Sequence, residues 1–440
     1  MKHKKQSGKK KLLLVQPKRC GLNRWPPLAL EILASLTPED RYDIEIVDEQ
    51  YEKLDLSRRY DIVGITSNTI TSLRAYKLAD RFRSKGAKVI MGGVHATFLP
   101  EEAEKHCDSI VLNEPEEIWN NILADFENNR LKKRYHGGHV KMDNVPMLKR
   151  KFMKDRIYIA PAIQMTRGCP NHCEFCSISA FSGNKIRKKP VKQVIREIKN
   201  LTSKNYLLRK YVPLSRPFVM VFDDNLFADR EYAIELFKRM EKLRIYWASQ
   251  APVRIAFDDE LLDHAYKSGC RYLWLGFESL SSESLKSVKK PNRVGVYEKA
   301  ISKLRKRGFF VKGMFIFGLD GDTKKVFDDT LEFSMKNNLD EVVVNILRPL
   351  PGAKLFEDME KEGRITTYDW SKYTRCVYKP RNMSPRQLEK SVDDFYAKFF
   401  SIPSIIKRMR GLKNYRPKRL FIYLFINMMG RYKTARHAHI

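Results

Sequence analysis

Short runs of aliphatic and β-branched residues alternate with amphipathic stretches along most of this chain. In the first 130 residues, five of these runs have the length and composition of strands: 12–15, 44–47, 62–66, 89–91 and 110–112. Strands that alternate with helices form βαβ units, whose parallel sheet is covered by helices on both faces. We therefore predict an α/β protein in which residues 1–135 form a doubly wound, Rossmann-like domain.

A second series of the same kind follows a basic and polar segment. Residues 136–160 contain Gly137-Gly138 and Pro146 and lack a clear periodicity, so we predict a linker there. Further strands are expected at 162–166, 218–222, 245–248, 272–276, 313–317 and 342–346. Six βα units predict a partial (βα)6 barrel over residues 161–349, with its active site at the carboxyl ends of the strands. Residues 350–440 are expected to form a C-terminal accessory region that becomes helical from about Pro385.

Small residues follow two strands of the N-terminal domain, at the edge where open α/β sheets bind ligands. Ser67 follows the strand at 62–66, and Gly92 and Gly93 follow the strand at 89–91. Without a side chain, the glycine backbone can approach a flat cofactor or a phosphate closely. A tight turn without a ligand explains the glycine pair equally well.

The charge of the chain is concentrated at its two ends. The sequence holds 84 Lys and Arg against 52 Asp and Glu, which gives a net charge of +32. Residues 1–20 hold eight basic residues and 401–440 hold ten, and neither segment holds an acidic residue. Such tails favour an anionic partner, either a membrane or a nucleic acid, although a solvated basic face has the same composition.

The rest of the composition restricts where the protein works. No segment reaches the roughly 18–20 consecutive apolar residues that a membrane-spanning helix needs. The seven cysteines are sparse and odd in number, which suits a reducing compartment and excludes a disulfide framework. We expect a cytoplasmic protein. Residues 420–429 are apolar apart from Asn427 and have basic neighbours, so they suit either an interfacial helix on an anionic bilayer or burial against the barrel.

Three cysteines lie close together directly after the first predicted barrel strand. Cys169, Cys173 and Cys176 have the spacing C-x3-C-x2-C. Structural zinc usually has four ligands, often from two Cys pairs, and a redox pair of Cys173 and Cys176 would leave Cys169 without a role. An iron–sulfur cluster with three protein ligands would keep one iron open to a small molecule. We favour the cluster over zinc and over the redox pair.

This loop resembles the signature of the radical S-adenosylmethionine superfamily, C-x3-C-x-aromatic-C. Cys169, Cys173, Phe175 and Cys176 match it in full. The resemblance implies that the cysteines hold a 4Fe-4S cluster, whose open iron chelates S-adenosylmethionine. It also implies that the reduced cluster cleaves this cofactor to a 5′-deoxyadenosyl radical, with Phe175 beside it and with electrons from a donor such as a flavodoxin or a ferredoxin.

Polar residues at later strand ends match positions where this superfamily contacts S-adenosylmethionine. By resemblance these are Asp223 after the second barrel strand, Gln250 after the third and Glu278 after the fourth. Asp223 and Asp224 could instead cap the following helix, a position that aspartate favours.

The order of an α/β domain before this barrel is similar to the cobalamin-binding subclass of the superfamily, which includes hopanoid methylases and tetraether-lipid cyclising enzymes. The resemblance implies cobalamin as a further cofactor, with Ser67, Gly92 and Gly93 beside it. One departure is the loop Pro17-Lys18-Arg19-Cys20-Gly21, which lacks the D-x-H-x-x-G motif that ligates cobalt. His95 is the nearest substitute, but a single histidine in a loop is more often structural.

These observations predict a radical enzyme that functionalises an unactivated carbon. The leading hypothesis is methylation of a hydrophobic, lipid-like substrate with cobalamin, by an enzyme that is cytoplasmic or peripheral at the inner face of the membrane. The alternatives are cobalamin-independent radical coupling or cyclisation, RNA modification, and a non-catalytic carrier. The RNA alternative is weakened because the sequence has neither a second cysteine set nor a small C-terminal RNA-binding barrel.

Overall fold

The chain folds into two compact units. The computed structural model describes residues 8–18, 25–153, 158–201, 212, 214–410 and 417–437. Unit 1 comprises Met1–Pro161, Arg187–Leu207 and Asp369–Thr374, and unit 2 comprises Ala162–Ile186, Leu208–Tyr368 and Arg375–Ile440. Each unit is built around a parallel six-stranded sheet, which confirms the predicted α/β class.

The sheet of unit 1 has the strand order β2-β1-β3-β4-β5-β6. Its strands are β1 (Lys10–Gln16), β2 (Tyr42–Asp48), β3 (Ile62–Thr66), β4 (Lys88–Gly92), β5 (Ser109–Leu112) and β6 (Arg134–His136). Its helices are α1 (Leu28–Leu36), α2 (Ser72–Arg83), α3 (Val94–Phe98), α4 (Pro100–Ala103), α5 (Trp119–Glu127) and, later in the chain, α7 (Val191–Leu201). The order reverses between β1 and β3, and ligands of doubly wound sheets bind at such a reversal.

Both faces of this sheet are buried, as a parallel sheet requires. Along β1, Leu12 and Leu14 join one hydrophobic cluster, and Leu13 and Val15 join the other. All four side chains are inaccessible to solvent. The continuous apolar run that predicted this strand therefore reflects burial on both sides.

Three segments depart from the predicted division of the chain, and one of them, Asp369–Thr374, belongs to unit 1 although the sequence places it in the C-terminal accessory region. Within the predicted linker, Val140, Met142 and Val145 are buried in a cluster with residues of unit 1. The segment Arg187–Leu207 also belongs to unit 1, although the sequence places it in the barrel. Arg187 there donates hydrogen bonds to both carboxylate oxygens of Glu114, at 2.5 and 2.7 Å. Composition could not reveal this ion pair because its partners are 73 residues apart.

The sheet of unit 2 has the strand order β14-β13-β12-β11-β10-β7. Its strands are β7 (Ala162–Ile163), β10 (Phe218–Val221), β11 (Tyr246–Ala251), β12 (Cys270–Glu278), β13 (Phe310–Phe317) and β14 (Glu341–Ile346); the short strands β8 (Thr166–Arg167) and β9 (Arg187–Lys188) lie outside it. Its helices are α6 (Ile178–Ser182), α8 (Arg230–Met240), α9 (Asp259–Lys267), α10 (Ser282–Ser287), α11 (Tyr297–Lys306), α12 (Lys325–Lys336), α13 (Lys354–Lys361), α14 (Pro385–Phe399), α15 (Ile402–Arg410) and α16 (Pro417–His437). All six predicted barrel strands are present, each with a helix before the next.

The last two helices cover the N-terminal end of the strands β13 and β14. On α15, Arg408 donates a hydrogen bond to the carbonyl oxygen of Leu339 at 3.0 Å. On α16, Asn427 donates to the carbonyl oxygen of Asp340, also at 3.0 Å. Tyr423 and Asn427 are buried, so one face of α16 packs on the barrel as one of the two interpretations of residues 420–429 expected. Within the described part of the chain, no helix combines the length and hydropathy needed to span a bilayer.

Candidate functional site

The cysteine loop leaves the barrel through a turn that only glycine fits. Gly168 has φ +94°, and a Cβ built on it would lie 2.2 Å from the carbonyl oxygen of Lys185. The next residue, Cys169, donates its amide to the carbonyl oxygen of Gly183 at 3.1 Å. This hydrogen bond fastens the loop at its first cysteine.

The three thiols lie in a largely enclosed environment. Cys173 is buried, Cys169 and Cys176 are half-buried, and Phe175 between the last two cysteines is also half-buried. Burial raises the pKa of Cys173 to about 11 and also raises that of Cys176. Metal binding must therefore displace protons from these thiols, because the thiolate is the ligand.

In a four-iron cluster each cysteine binds a different iron, so the three sulfurs do not have to converge on one point. Among the described residues, no group of three His, Cys, Asp or Glu side chains is placed to hold a single metal ion.

Asn225 places a buried polar group beside the first cysteine. Its Nδ2 lies 3.5 Å from the sulfur of Cys169. Its Oδ1 is buried and has no hydrogen-bond partner among the described residues. Since buried polar atoms are nearly always paired, this oxygen indicates that a ligand group belongs beside Cys169.

Asp223 and Asp224 fix the backbone that leads into the cysteine loop. The carboxylate of Asp223 accepts hydrogen bonds from the amides of Met165 and Thr166, at 2.7 and 2.9 Å, and from the Thr166 hydroxyl at 2.8 Å. Asp224 accepts one from the amide of Gly168 at 2.7 Å. Burial raises the pKa of Asp223 to about 7, although these hydrogen bonds act in the opposite direction.

The alternative that these aspartates cap the next helix is wrong. That helix, α8, begins at Arg230, and its N-cap is Asp229, whose side chain accepts from the amide of Tyr232. The contact of Asp223 with S-adenosylmethionine stays a prediction, and in this structure its oxygens are turned toward the protein.

Glu278 ends β12 in a left-handed backbone conformation, with φ 65°. Its carboxylate pairs with Lys290, whose Nζ lies 2.7 Å from Oε1 of Glu278. The two side chains are 12% and 14% exposed. Burial lowers the pKa of Lys290, but the charges of Glu278 and Cys173 outweigh it, so the net shift is upward. Lys290 therefore stays protonated close to the cysteines.

Sequence reasoning missed Lys290 because the loop that carries it has no motif. This loop binds the cysteine loop directly: Glu174 donates its amide to the carbonyl oxygen of Val288 at 3.0 Å, and its side chain pairs with Lys289 at 2.8 Å. Asn292 ties the same loop to the end of β12, where it donates to the carbonyl oxygens of Gly276 and Phe277. The only sequence signal was the run of basic residues at 289–290.

Gln250 is exposed near the carboxyl end of β11. Its strand is hydrogen-bonded to both β10 and β12, which carry Asp223 and Glu278 at their carboxyl ends. The structure thus brings the predicted S-adenosylmethionine contacts to one edge of the sheet in unit 2. Their individual roles stay predictions.

In unit 1, Ser67, Gly92 and Gly93 meet at the carboxyl ends of β3 and β4. The amide of Ser67 donates to the carbonyl oxygen of Gly92 at 2.8 Å. Gly93 has φ +101°, and a Cβ built on it would lie 2.5 Å from the carbonyl oxygen of Ser67. The glycine is required for this close approach of the two backbones.

His95 lies in the protein interior. Its ring is inaccessible to solvent, and its Nε2 lies 3.5 Å from Oε1 of Glu102. Trp370 packs edge-on against the ring at 5.2 Å and donates to both oxygens of Glu102, at 2.8 and 3.0 Å. Burial raises the pKa of Glu102, but the polar groups of His95, Tyr76 and Trp370 beside it outweigh this effect and lower the pKa overall. This packing supports a structural role for His95, and Arg19 and Cys20 of the divergent loop lie outside the described residues.

Comparison with known proteins agrees with both units. Residues 163–334 match the Radical SAM superfamily, and residues 19–123 match the B12 binding domain. The chain is 31% identical over 411 residues to the Bacteriochlorophyllide d C-8(2)-methyltransferase of Chlorobaculum tepidum, which covers 89% of this chain and 88% of the relative. This chain belongs to the radical SAM superfamily, in the group that carries a B12-binding domain.

Other members of this group support the same assignment. The Bacteriochlorophyllide d C-12(1)-methyltransferase of Chlorobaculum tepidum is 32% identical over 426 residues, covering 92% of this chain and 91% of the relative. The Hopanoid C-2 methylase of Rhodopseudomonas palustris is 22% identical over 358 residues, with 78% and 66% covered. The radical SAM methyltransferase TsrM of Kitasatospora setae, solved with cobalamin and a [4Fe-4S] cluster, has the same fold at a TM-score of 0.67, 15% identity and 89% coverage of each chain.

The family assignment confirms the predicted cofactors of this radical SAM protein: a 4Fe-4S cluster, S-adenosylmethionine and cobalamin. The residues present fit them. Three thiols in one loop suit the cluster, with the orphaned Oδ1 of Asn225 beside Cys169. Ser67, Gly92 and Gly93 lie at the strand ends where doubly wound sheets bind ligands. The loop Pro17-Lys18-Arg19-Cys20-Gly21 lacks the D-x-H-x-x-G motif, so it supplies no histidine to cobalt.

Proposed function

We propose that this radical SAM methyltransferase transfers a methyl group to an unactivated carbon of a large, mostly apolar substrate. The observation that carries the proposal is about 30% identity, over nearly the whole chain, to two bacteriochlorophyllide methyltransferases. A bacteriochlorophyllide and a hopanoid both present extended apolar ring surfaces. The lipid-like substrate expected from the sequence belongs to this broader class.

Each cofactor supplies one part of the reaction, and residues of the chain would hold the cofactors in place. When bound, the cluster with S-adenosylmethionine supplies the radical and cobalamin supplies the methyl group. Cys169, Cys173 and Cys176 would hold the cluster, and Asn225 would contact the bound group beside Cys169. Lys290 and Glu278 form a charged pair beside these ligands, where water is largely excluded.

The test is an anaerobic assay of the reconstituted enzyme with cobalamin and S-adenosylmethionine that carries a deuterated methyl group. A bacteriochlorophyllide and a hopanoid are offered separately, with an RNA mixture as the third arm. We expect 5′-deoxyadenosine, S-adenosylhomocysteine and a deuterated methyl group on one of the apolar acceptors. Label on RNA alone, or no label on any acceptor while deoxyadenosine forms, would contradict the proposal.

Radical cyclisation is the second candidate function. The Anaerobic magnesium-protoporphyrin IX monomethyl ester cyclase of Cereibacter sphaeroides is 24% identical over 423 residues. A relative of this chain is therefore named for a cyclisation and not for a methyl transfer. The assay separates the two reactions, because cyclisation consumes no methyl group and forms no S-adenosylhomocysteine.

A peripheral location at the inner face of a membrane follows from the same substrate class. Large apolar substrates partition into bilayers, and an enzyme on the bilayer surface meets them at a higher concentration than in bulk water. We propose that the enzyme is cytoplasmic and docks reversibly, with a flavodoxin or ferredoxin delivering electrons from solution. Fractionation of cells into membrane and soluble pools at low and high salt tests this location.

A further inference from the structure

Exposed apolar side chains are concentrated on the last two helices. Of the nine large hydrophobic residues that are exposed in the described part of the chain, seven lie on α15 and α16. They are Ile402, Ile406, Phe421, Leu424, Met428, Met429 and Tyr432. Contiguous exposed apolar surface of this kind marks an interaction site in soluble proteins.

The residues on α16 form a stripe along one side of the helix. Phe421, Leu424, Met428 and Tyr432 follow one another at intervals of three and four residues, which places them on one helical face. They are 46%, 37%, 50% and 44% exposed. Tyr423 lies on the other side, buried against the barrel. Helix α16 is therefore apolar on two sides, and the barrel covers only one of them.

The surrounding charge indicates which partner covers the second side. Residues 401–440 contain ten Lys and Arg and no Asp or Glu. Lys407 on α15 and Arg431 on α16 are exposed next to the apolar residues. A second copy of the chain would bring equal positive charge against this face, which like-charge repulsion opposes. An anionic bilayer instead offers headgroups to exposed basic residues such as Lys407 and Arg431 and an acyl boundary to the apolar residues. Arg408 and Arg419 do not take part, because the first is buried and the second donates to carbonyl oxygens of the barrel.

We propose that this surface, the exposed face of α15 and α16, docks the enzyme on an anionic lipid bilayer. The proposal deepens the peripheral location proposed above and does not require the methyl acceptor to be a lipid. Because α15 and α16 cover the N-terminal end of β13 and β14, the bilayer lies at the end of the barrel opposite the cysteine loop. The cysteine edge of unit 2 then faces away from the bilayer, so an electron donor reaches it from solution and an apolar acceptor has to leave the bilayer to reach it.

The test is co-sedimentation of the full-length, reconstituted protein with vesicles. One set contains phosphatidylglycerol and phosphatidylcholine, and the other contains phosphatidylcholine alone. We expect the wild type to bind the anionic vesicles at least tenfold more tightly, and high salt to weaken the binding. The double variant Phe421→Ser/Met428→Ser should lose at least tenfold in affinity. Phe257→Ser, which changes a residue that is 40% exposed outside these helices, should bind like the wild type.

Two further readouts keep the outcome decisive. Iron content and deoxyadenosine formation in solution report whether the double variant keeps its fold, and they do not depend on lipid. The proposal would be overturned if the wild type does not bind anionic vesicles, or if a folded double variant binds them with the affinity of the wild type.

If the double substitution instead converts a dimer into a monomer in size-exclusion chromatography and vesicles are not bound, the face is a self-association surface. Loss of methyl transfer in solution would count against the proposed function and leave the docking surface untouched.

Discussion

The pair of Glu278 and Lys290 makes a sharp prediction, because removing one partner should cost more than removing both. The atoms are 2.7 Å apart, and only 12% and 14% of the two side chains reach water. Breaking a buried pair by removing one partner costs about 3–5 kcal/mol, since the remaining charge is left uncompensated. We take the lower end, about 3 kcal/mol, because water still reaches part of each side chain.

The assay is native-state hydrogen exchange on the cluster-free protein, followed in peptides that cover β12 and the loop after it. Exchange reports the local opening free energy, which is needed because a two-unit chain does not unfold in one step. We expect Lys290→Met and Glu278→Gln each to lower this free energy by about 3 kcal/mol. The double variant should lose less than either single variant, which corresponds to a coupling energy of more than about 3 kcal/mol.

Lys289 provides the matched control, since it is adjacent in sequence and also forms an ion pair. Its partner is Glu174 at 2.8 Å, but the lysine side chain is 70% exposed. An exposed pair contributes at most about 1 kcal/mol, so Lys289→Met should change the opening free energy little. Additive losses in the double variant, or an equal loss for Lys289→Met, would refute the reasoning.

The two units make three further predictions. Lys290→Met should shift the reduction potential of the reconstituted cluster to more negative values, because positive charge stabilises the reduced cluster, and Glu278→Gln should shift it to more positive values. An EPR-monitored redox titration measures both shifts. Shifts in the same direction would contradict the argument. Gly93→Ala should destabilise unit 1 by about 2–3 kcal/mol and lower the cobalamin content, because the new Cβ meets the Ser67 backbone. Gly86→Ala has the same left-handed backbone with nothing within 4 Å, so it should cost only about 1 kcal/mol and keep the cobalamin. Trp370→Phe removes the donor to Glu102 and should speed hydrogen exchange in α3 and α4 without changing the iron content.

Most of the fold was predictable because burial on both sides of a parallel sheet leaves a strong pattern. The run at 62–66 coincides with β3, and the run at 12–15 lies within β1. The strand β6, Arg134–His136, was missed because only Tyr135 is buried and its neighbours are charged or polar. A strand of this length carries no periodicity that a reader of the sequence could detect.

The site was predictable only where the chemistry lies in one short segment. The three cysteines and Phe175 stand within eight residues, so their spacing alone indicated a cluster. Lys290 escaped notice, and Asn225 was noted only as part of the segment Phe222-Asp223-Asp224-Asn225 without a role of its own, because both roles come from positions in space. A lysine in a loop is usually solvated, and nothing in the sequence shows that this one meets Glu278 across a strand end.

The cysteine motif and the residues that hold its loop in place lie far apart in the sequence, and this affects how the loop works. The motif supplies the ligands, but their geometry depends on hydrogen bonds that Asp223 and Asp224, more than 50 residues away, accept from the backbone before Cys169. It also depends on the hydrogen bond that the carbonyl oxygen of Val288 accepts from the amide of Glu174. Loops on rigid sheet edges hold reactive groups precisely only when such supporting contacts are fixed as well. A substitution in the supporting loops should therefore alter the reduction potential or the occupancy of the cluster while every residue of the signature remains in place. The opposite shifts in reduction potential expected for the Lys290 and Glu278 variants measure this dependence most directly.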